Sequence, residues 1–148
     1  MGRKRLSDFC RTTRETWYDT IPPQAFRENQ QQHEFIIENR VKVVYGGFDD
    51  REDIQRFNSA EYCFAFIDQA EEISQTEFGM VLATLRRKLH GKALVPKVLL
   101  TANPAKCWLK TEFVDKPRDS GPWRFLRALP TDNPFLPPGY VENLTASQ

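Results

Sequence analysis

The sequence predicts an α/β fold with a mainly parallel sheet flanked by helices. Three stretches carry the prediction. Tyr62-Cys63-Phe64-Ala65-Phe66-Ile67 is a short apolar run ending on Asp68, the pattern of a strand buried on both faces. Ser74-Gln75-Thr76-Glu77 is a capping box, and Phe78, Val81, Leu82, Leu85 and Leu89 then repeat on one helical face. Lys97-Val98-Leu99-Leu100-Thr101 is a second apolar strand. Parallel neighbours need a crossover between them, and a helix over residues 75–90 supplies it. The chain has 148 residues, about one domain, with no internal repeat and no linker that would split it.

Taken in order, the chain opens on a basic Met1-Gly2-Arg3-Lys4-Arg5 with no apolar signal segment behind it. Leu6 stands where myristoylation needs Ser or Thr. Residues 4–18 read as one amphipathic helix, with Leu6, Phe9, Cys10, Thr13 and Trp17 on its stripe. Arg3, Lys4, Arg11 and Arg14 fall on a solvated face or touch DNA. Ile21-Pro22-Pro23 stops the helix. His33 reads as a surface residue. Phe35-Ile36-Ile37 and Val41 to Tyr45 predict two strands around a tight turn, the second ended by Gly46-Gly47. Residues 48–59 predict a short helix or ordered loop anchored by Ile54 and Phe57. Gly91 suits a cap for the later helix, and Arg86-Arg87-Lys88 complement its dipole or meet phosphates. Beyond Pro104 the chain is proline-rich. Trp108, Leu109 and Phe113 anchor a loop or short helix, residues 123–129 suggest a strand, and a short helix follows from Tyr140.

Twenty-one basic and 20 acidic residues leave a net charge of +1, so no overall field points to nucleic acid or a membrane surface. No apolar run approaches the roughly 20 residues of a membrane span. Cys10, Cys63 and Cys107 are odd in number and far apart. They suggest neither a disulfide framework nor a zinc site, and a reducing, cytosolic setting follows.

Asp68 stands where its strand emerges at the C-terminal tip, the edge at which open α/β sheets bind ligands. One carboxylate there, with Glu71 and Glu72 in the next turn, suits a hydrated Mg²⁺ beside phosphates. It also suits a core strand followed by a solvated acidic turn. If the two strands are parallel, Thr101 and Asn103 of Thr101-Ala102-Asn103-Pro104 share that edge with Asp68.

Three motifs together resemble the ATPase part of the large terminase subunit of tailed bacteriophages. Phe64 to Ile73 is similar to its Walker B segment, and Leu99-Leu100-Thr101-Ala102-Asn103-Pro104 to its coupling motif. Asp132-Asn133-Pro134-Phe135-Leu136, with Tyr140 and Leu144, resembles the segment that closes the ATPase core. The strand and Gly-Gly between Asn39 and Asp49 also fit, so the resemblance spans residues 35–145.

The resemblance implies a P-loop NTPase-like sheet of the RecA type, Mg²⁺-dependent ATP hydrolysis and translocation of double-stranded viral DNA into a procapsid. Implied partners are the portal protein, the small terminase subunit and further copies in a ring, in the cytoplasm of a bacterial host. Asp68 would hold Mg²⁺ through water. Gln69, Glu71 or Glu72 would order the attacking water. Thr101 and Asn103 would sense the γ-phosphate, and Arg56, or less readily Arg51, would be an arginine finger. Two departures stand out. Gln69 replaces the glutamate that many members place after the aspartate. No phosphate-cradling loop occurs within residues 1–148, since His90-Gly91-Lys92-Ala93 has neither the first glycine nor the hydroxyl. The chain therefore reads as an incomplete ATPase domain without a nuclease domain. A non-catalytic module binding portal, small subunit or DNA, or a piece of another P-loop motor such as a helicase, are the alternatives.

Overall fold

A computed structural model describes residues 1–49, 51–116 and 122–146, with the side chains of Arg51, Thr145 and Ala146 outside the description. The chain divides into two compact units, Met1–Lys110 and Thr111–Gln148.

The first unit begins with β1 (Gly2–Arg3), α1 (Leu6–Arg11) and α2 (Thr13–Thr20). The helix expected over 4–18 is thus broken at Thr12, whose φ of −126° and ψ of −76° leave the helical region. Its first two residues, Lys4 and Arg5, are a non-helical link from β1 to α1. β2 (Phe26–Asn29), β3 (Glu34–Ile37) and β4 (Val41–Val44) make an antiparallel meander. The β3–β4 hairpin is as expected, and β2, too polar to show a strand pattern, is an addition. Phe9, Phe35 and Tyr45 form the core between this meander and α1–α2, with Trp17 and Phe26 packed on it. Phe9 and Phe35 are fully buried, worth about 1.5–3 kcal/mol each. Trp17 stacks on Phe35 at 4.6 Å and Phe9 on Tyr45 at 5.1 Å.

The larger sheet runs β5–β1–β6–β9 and is wholly parallel, with β5 at Gly46–Gly47, β6 at Phe64–Ile67 and β9 at Lys97–Leu100. Gly46-Gly47 is therefore a strand of its own. Glycine is required there by close approach: a Cβ on Gly47 would lie 2.6 Å from the Leu6 nitrogen, and one on Gly2 2.6 Å from the Phe48 ring. α3 (Arg51–Asn58) follows β5, and α4 (Gln75–Thr84) is the crossover from β6 to β9. Register pairs Phe64 with Lys97 through to Ile67 with Leu100. Ile67, Ile73, Phe78, Val81 and Leu85 are buried around α4. Burial on both faces does not hold for the whole run: Cys63 and Phe64 are exposed, as is Leu99 opposite.

α4 stops at Thr84, short of the expected residue 90. Residues 88–93 form a hairpin of β7 (Lys88–Leu89) and β8 (Lys92–Ala93). His90 and Gly91 both have positive φ, 50° and 76°, the signature of a two-residue primed turn. Gly91 is thus a hairpin residue and no helix cap. Arg86 does meet the end of α4, its Nη1 donating to Ala83 O at 2.8 Å, whereas Arg87 and Lys88 belong to the hairpin and its approach.

The second unit carries most of a π-helical turn over Lys110–Val114, a 3-10 turn over Pro130–Asp132 and α5 (Tyr140–Ala146). Asp132 Oδ2 accepts from the Leu129 amide at 2.7 Å, and Asn133 Oδ1 from the Phe135 amide at 3.0 Å. The first is a reach-back bond to the start of the 3-10 turn and the second an Asx turn, and together they explain the turn chemistry of Asp132-Asn133-Pro134. No strand forms in the described residues 122–129.

Candidate functional site

The C-terminal tips of β1, β6 and β9 lie side by side. The Asp68 amide bonds Gly2 O at 3.0 Å, the Thr101 amide bonds Ile67 O at 3.0 Å, and the Ala70 amide bonds Thr101 O at 2.8 Å. The ladder therefore continues past the strand ends and fixes the backbone of the tip. Gln69 has φ 50° and ψ 54°, a left-handed conformation that costs a non-glycine residue about 1–2 kcal/mol. This turns the chain into the tight 3-10 turn Ala70–Glu72. Strained residues of this kind gather at functional sites.

Asp68 is only partly buried, and both carboxylate oxygens are engaged. Oδ1 accepts from Thr101 Oγ1 at 2.7 Å, and Oδ2 from Thr13 Oγ1 at 2.7 Å. Asn103 Nδ2 donates to Glu71 Oε1 at 3.0 Å, while Glu71 Oε2 is buried with no partner among the described residues. Asp68, Gln69, Glu71, Thr101 and Asn103 are thus brought together as expected from a parallel pair. Glu72 is at the rim, exposed.

Three residues at this tip went unread in the sequence. Thr13 appeared as part of a helix stripe. Arg3 appeared as a solvated cation, yet is only 8 % exposed. Its Nη2 donates to Gln69 Oε1 and its Nη1 to Thr12 Oγ1 at 2.7 Å, while Nε lies 3.7 Å from Glu72 Oε2. The planar fork of arginine can hold two such partners at once. A two-residue strand has no periodicity, so no sequence signal marked Arg3. Lys4 is also no free cation: its Nζ reaches Glu77 Oε1 at 2.6 Å.

Arg56 joins a different cluster. It donates to Asp53 Oδ1 at 3.0 Å and meets His33 Nδ1 at 2.6 Å. His33, expected at the surface without a partner, also stacks on Tyr45. The Arg51 side chain lies outside the described residues.

The family model for the phage terminase large subunit matches residues 19–148. No curated protein matches the chain. Among solved structures, the chain resembles the large terminase of a thermophilic bacteriophage, with 16% identity and a TM-score of 0.65. The similarity covers 78% of this chain and 29% of that one, so the chain spans under a third of its relative's length. At such identity the likeness is one of fold, and it agrees with a P-loop-like parallel sheet flanked by helices. The family match covers the Walker B-like, coupling and closing segments and sets aside helicases and other P-loop motors: the chain belongs to the phage terminase large subunit family.

Proposed function

We propose that this protein supplies the metal-side and coupling half of the ATP site in a motor that packages double-stranded viral DNA into procapsids. The observation that supports the reading is Asp68 at the tip of β6, bonded to Thr101 of the neighbouring parallel strand.

The donor set fits Mg²⁺. Among the described residues no group of three or more His, Cys, Asp or Glu could hold an ion. A site offering one pinned carboxylate suits a cation that keeps its waters and takes phosphate oxygens. When bound there beside ATP, Mg²⁺ would neutralise charge developing on the transferred phosphoryl group. Asp68 orients that hydrated ion, because its two hydroxyl partners fix the carboxylate plane. Gln69 orients the attacking water: Arg3 occupies its amide oxygen and leaves its NH₂ as the free donor. Thr101 and Asn103 stand on one turn, the first touching Asp68 and the second Glu71. A shift of that turn would therefore be felt by both acids, which is the coupling role. Glu72, paired loosely with Arg3, is the weaker candidate for work on the water. Arg56 would serve as an arginine finger toward a neighbouring copy in a ring only by releasing Asp53.

In this reading the protein works in the host cytoplasm with the portal protein and the small terminase subunit. No helix of the described residues is long and apolar enough to cross a membrane. The test is Asp68→Asn in a form of the protein that carries a phosphate-binding loop. Loss of an interaction worth several kcal/mol in the transition state should slow hydrolysis by about 10³-fold or more. Thermal unfolding should be nearly unmoved. A wild-type rate would overturn the reading.

A further inference from the structure

The near-neutral total hides a segregation of charge. Residues 78–111 hold seven of the 21 basic residues, Arg86, Arg87, Lys88, Lys92, Lys97, Lys106 and Lys110, and none of the 20 acidic ones. Fourteen basic residues remain to face 20 acids elsewhere. The concentration is structural as well as sequential, because every residue from 86 to 97 is exposed. The β7–β8 hairpin forms the centre of this stretch. Lys88 pairs with Ala93 and Leu89 with Lys92. Lys88 and Lys92 therefore stand on opposite faces of the ribbon. Arg86 is tied to Glu61 at 3.3 Å. Arg87, Lys88, Lys92 and Lys97 have no carboxylate partner among the described residues. Such a run on a solvated face commonly carries counter-charges, and this one has almost none.

The hairpin's place in the fold is defined. The Arg87 amide bonds Tyr62 O at 3.1 Å, and the Lys97 amide bonds Cys63 O at 3.2 Å. Both anchors precede β6, so the hairpin stands at the N-terminal edge of the sheet. Asp68 is at the other edge, roughly 15 Å away along the strand.

We propose that the β7–β8 hairpin and its flanks, through Arg87, Lys88, Lys92 and Lys97, form a contact for the phosphodiester backbone of duplex DNA. This rests on the packaging role proposed above. Lysines on both faces of a narrow ribbon meet phosphates without reading bases. That suits a substrate of any sequence. An edge remote from Asp68 keeps the strand-binding cations from competing with the metal-side chemistry.

The experiment compares the protein with a Lys88→Gln, Lys92→Gln, Lys97→Gln variant, using a short fluorescent DNA duplex of random sequence over a salt series. Each phosphate contact contributes about 0.9 to the slope of log affinity against log salt. The slope should shrink by about 2 to 3, and affinity at ~0.1 M salt should fall about a hundredfold. In a form that carries a phosphate-binding loop, ATP hydrolysis measured without DNA should be unchanged by the three lysine substitutions. An Arg27→Gln, Arg40→Gln, Arg127→Gln variant, with the same change in charge at exposed sites elsewhere, should bind nearly as the parent does. Unchanged affinity in the lysine variant, equal loss in the control, or tighter binding of polyglutamate than of duplex would each overturn the proposal. Absence of hydrolysis in that loop-bearing form would sink the ATPase reading and leave the binding comparison intact.

Discussion

Glu28 accepts from Arg14 Nε and Nη2 at 2.8 Å each, from Tyr45 at 2.6 Å, from Gln30 at 3.2 Å and from Tyr18. Asp68 accepts from two threonine hydroxyls and from no cation among the described residues. Beside it, Glu71 Oε2 and Arg3 Nε are buried without a hydrogen bond among the described residues. The bidentate Arg14 contact, with the tyrosine and glutamine bonds behind it, outweighs burial and draws the Glu28 carboxyl down to about 2. Glu28 therefore has its acceptor capacity filled, and its network closes the aromatic core. The tip of β6 is constrained yet open: the aromatic core also holds a buried atom without a hydrogen bond among the described residues, Trp17 Nε1, but there it is an indole N–H, and at the tip a carboxylate oxygen and a guanidinium nitrogen. The difference separates a carboxylate that serves the fold from one that serves a ligand.

Substitutions at the tip should cost rate, and substitutions at Glu28 should cost stability. Asp68→Asn is the largest expected effect on rate. Gln69→Ala comes next: positioning of the water is lost, and hydrolysis should slow about 10²-fold, the lower end for assisted proton movement. Glu72→Gln should slow it less than tenfold, because Glu72 is exposed and its Arg3 pair is long. Single-turnover hydrolysis, with nucleotide affinity measured separately, checks both. The reverse ranking would make Glu72 the acting acid and Gln69 a spectator.

On the other side of the comparison, Glu28→Gln should destabilise the protein by roughly 2 kcal/mol at pH 7, since it leaves Arg14 without its charge partner. The pH dependence has a definite sign. A carboxyl held low when folded contributes stability fully above its unfolded value, near 4.5, and loses it as pH falls toward about 2. Unfolding in urea at pH 7 and pH 3 should show the gap between parent and variant narrowing at the lower pH. An equal gap at both would mean that shape and hydrogen bonding, not charge, hold that corner.

The βαβ unit was legible because each part has a local signal: an apolar run, a capping box and a second apolar run. The tip acids followed from topology, since strand polarity puts Asp68, Thr101 and Asn103 on one edge. Arg3 and Thr13 were not legible. Their roles depend on β1 inserting between β5 and β6, and a two-residue strand defined by glycine contacts leaves no pattern. The over-long helix had a similar origin. Leu85 and Leu89 continue the 3.6-residue period, but a hairpin turn at His90-Gly91 competes with it and wins. Charge was misjudged by summation: a total of +1 conceals a basic hairpin and an acidic remainder.

Glu77 is a third kind of carboxylate and gives the smallest effect. It is fully employed like Glu28, but it stands only five residues beyond Glu72, the end of the turn at the tip. Its Oε2 accepts from the Ser74 amide at 2.6 Å and from Ser74 Oγ at 2.9 Å, and Ser74 Oγ accepts from the Glu77 amide at 3.2 Å. Burial pushes its carboxyl up, but the Lys4 and Ser74 bonds outweigh that and leave it below the usual range. Ser74→Ala removes the hydroxyl half of this box and should cost about 1 kcal/mol, lowering Tm by about 3 °C for a chain of this size. Hydrolysis should stay within about twofold of the parent, because the tip is fixed by the β1 and β9 backbone bonds rather than by the cap. Calorimetry and a steady-state assay on the same preparation decide it. A large fall in kcat with little change in Tm would show that the cap sets the geometry of Gln69 to Glu72. The line between fold-serving and ligand-serving carboxylates would then run through α4 rather than in front of it.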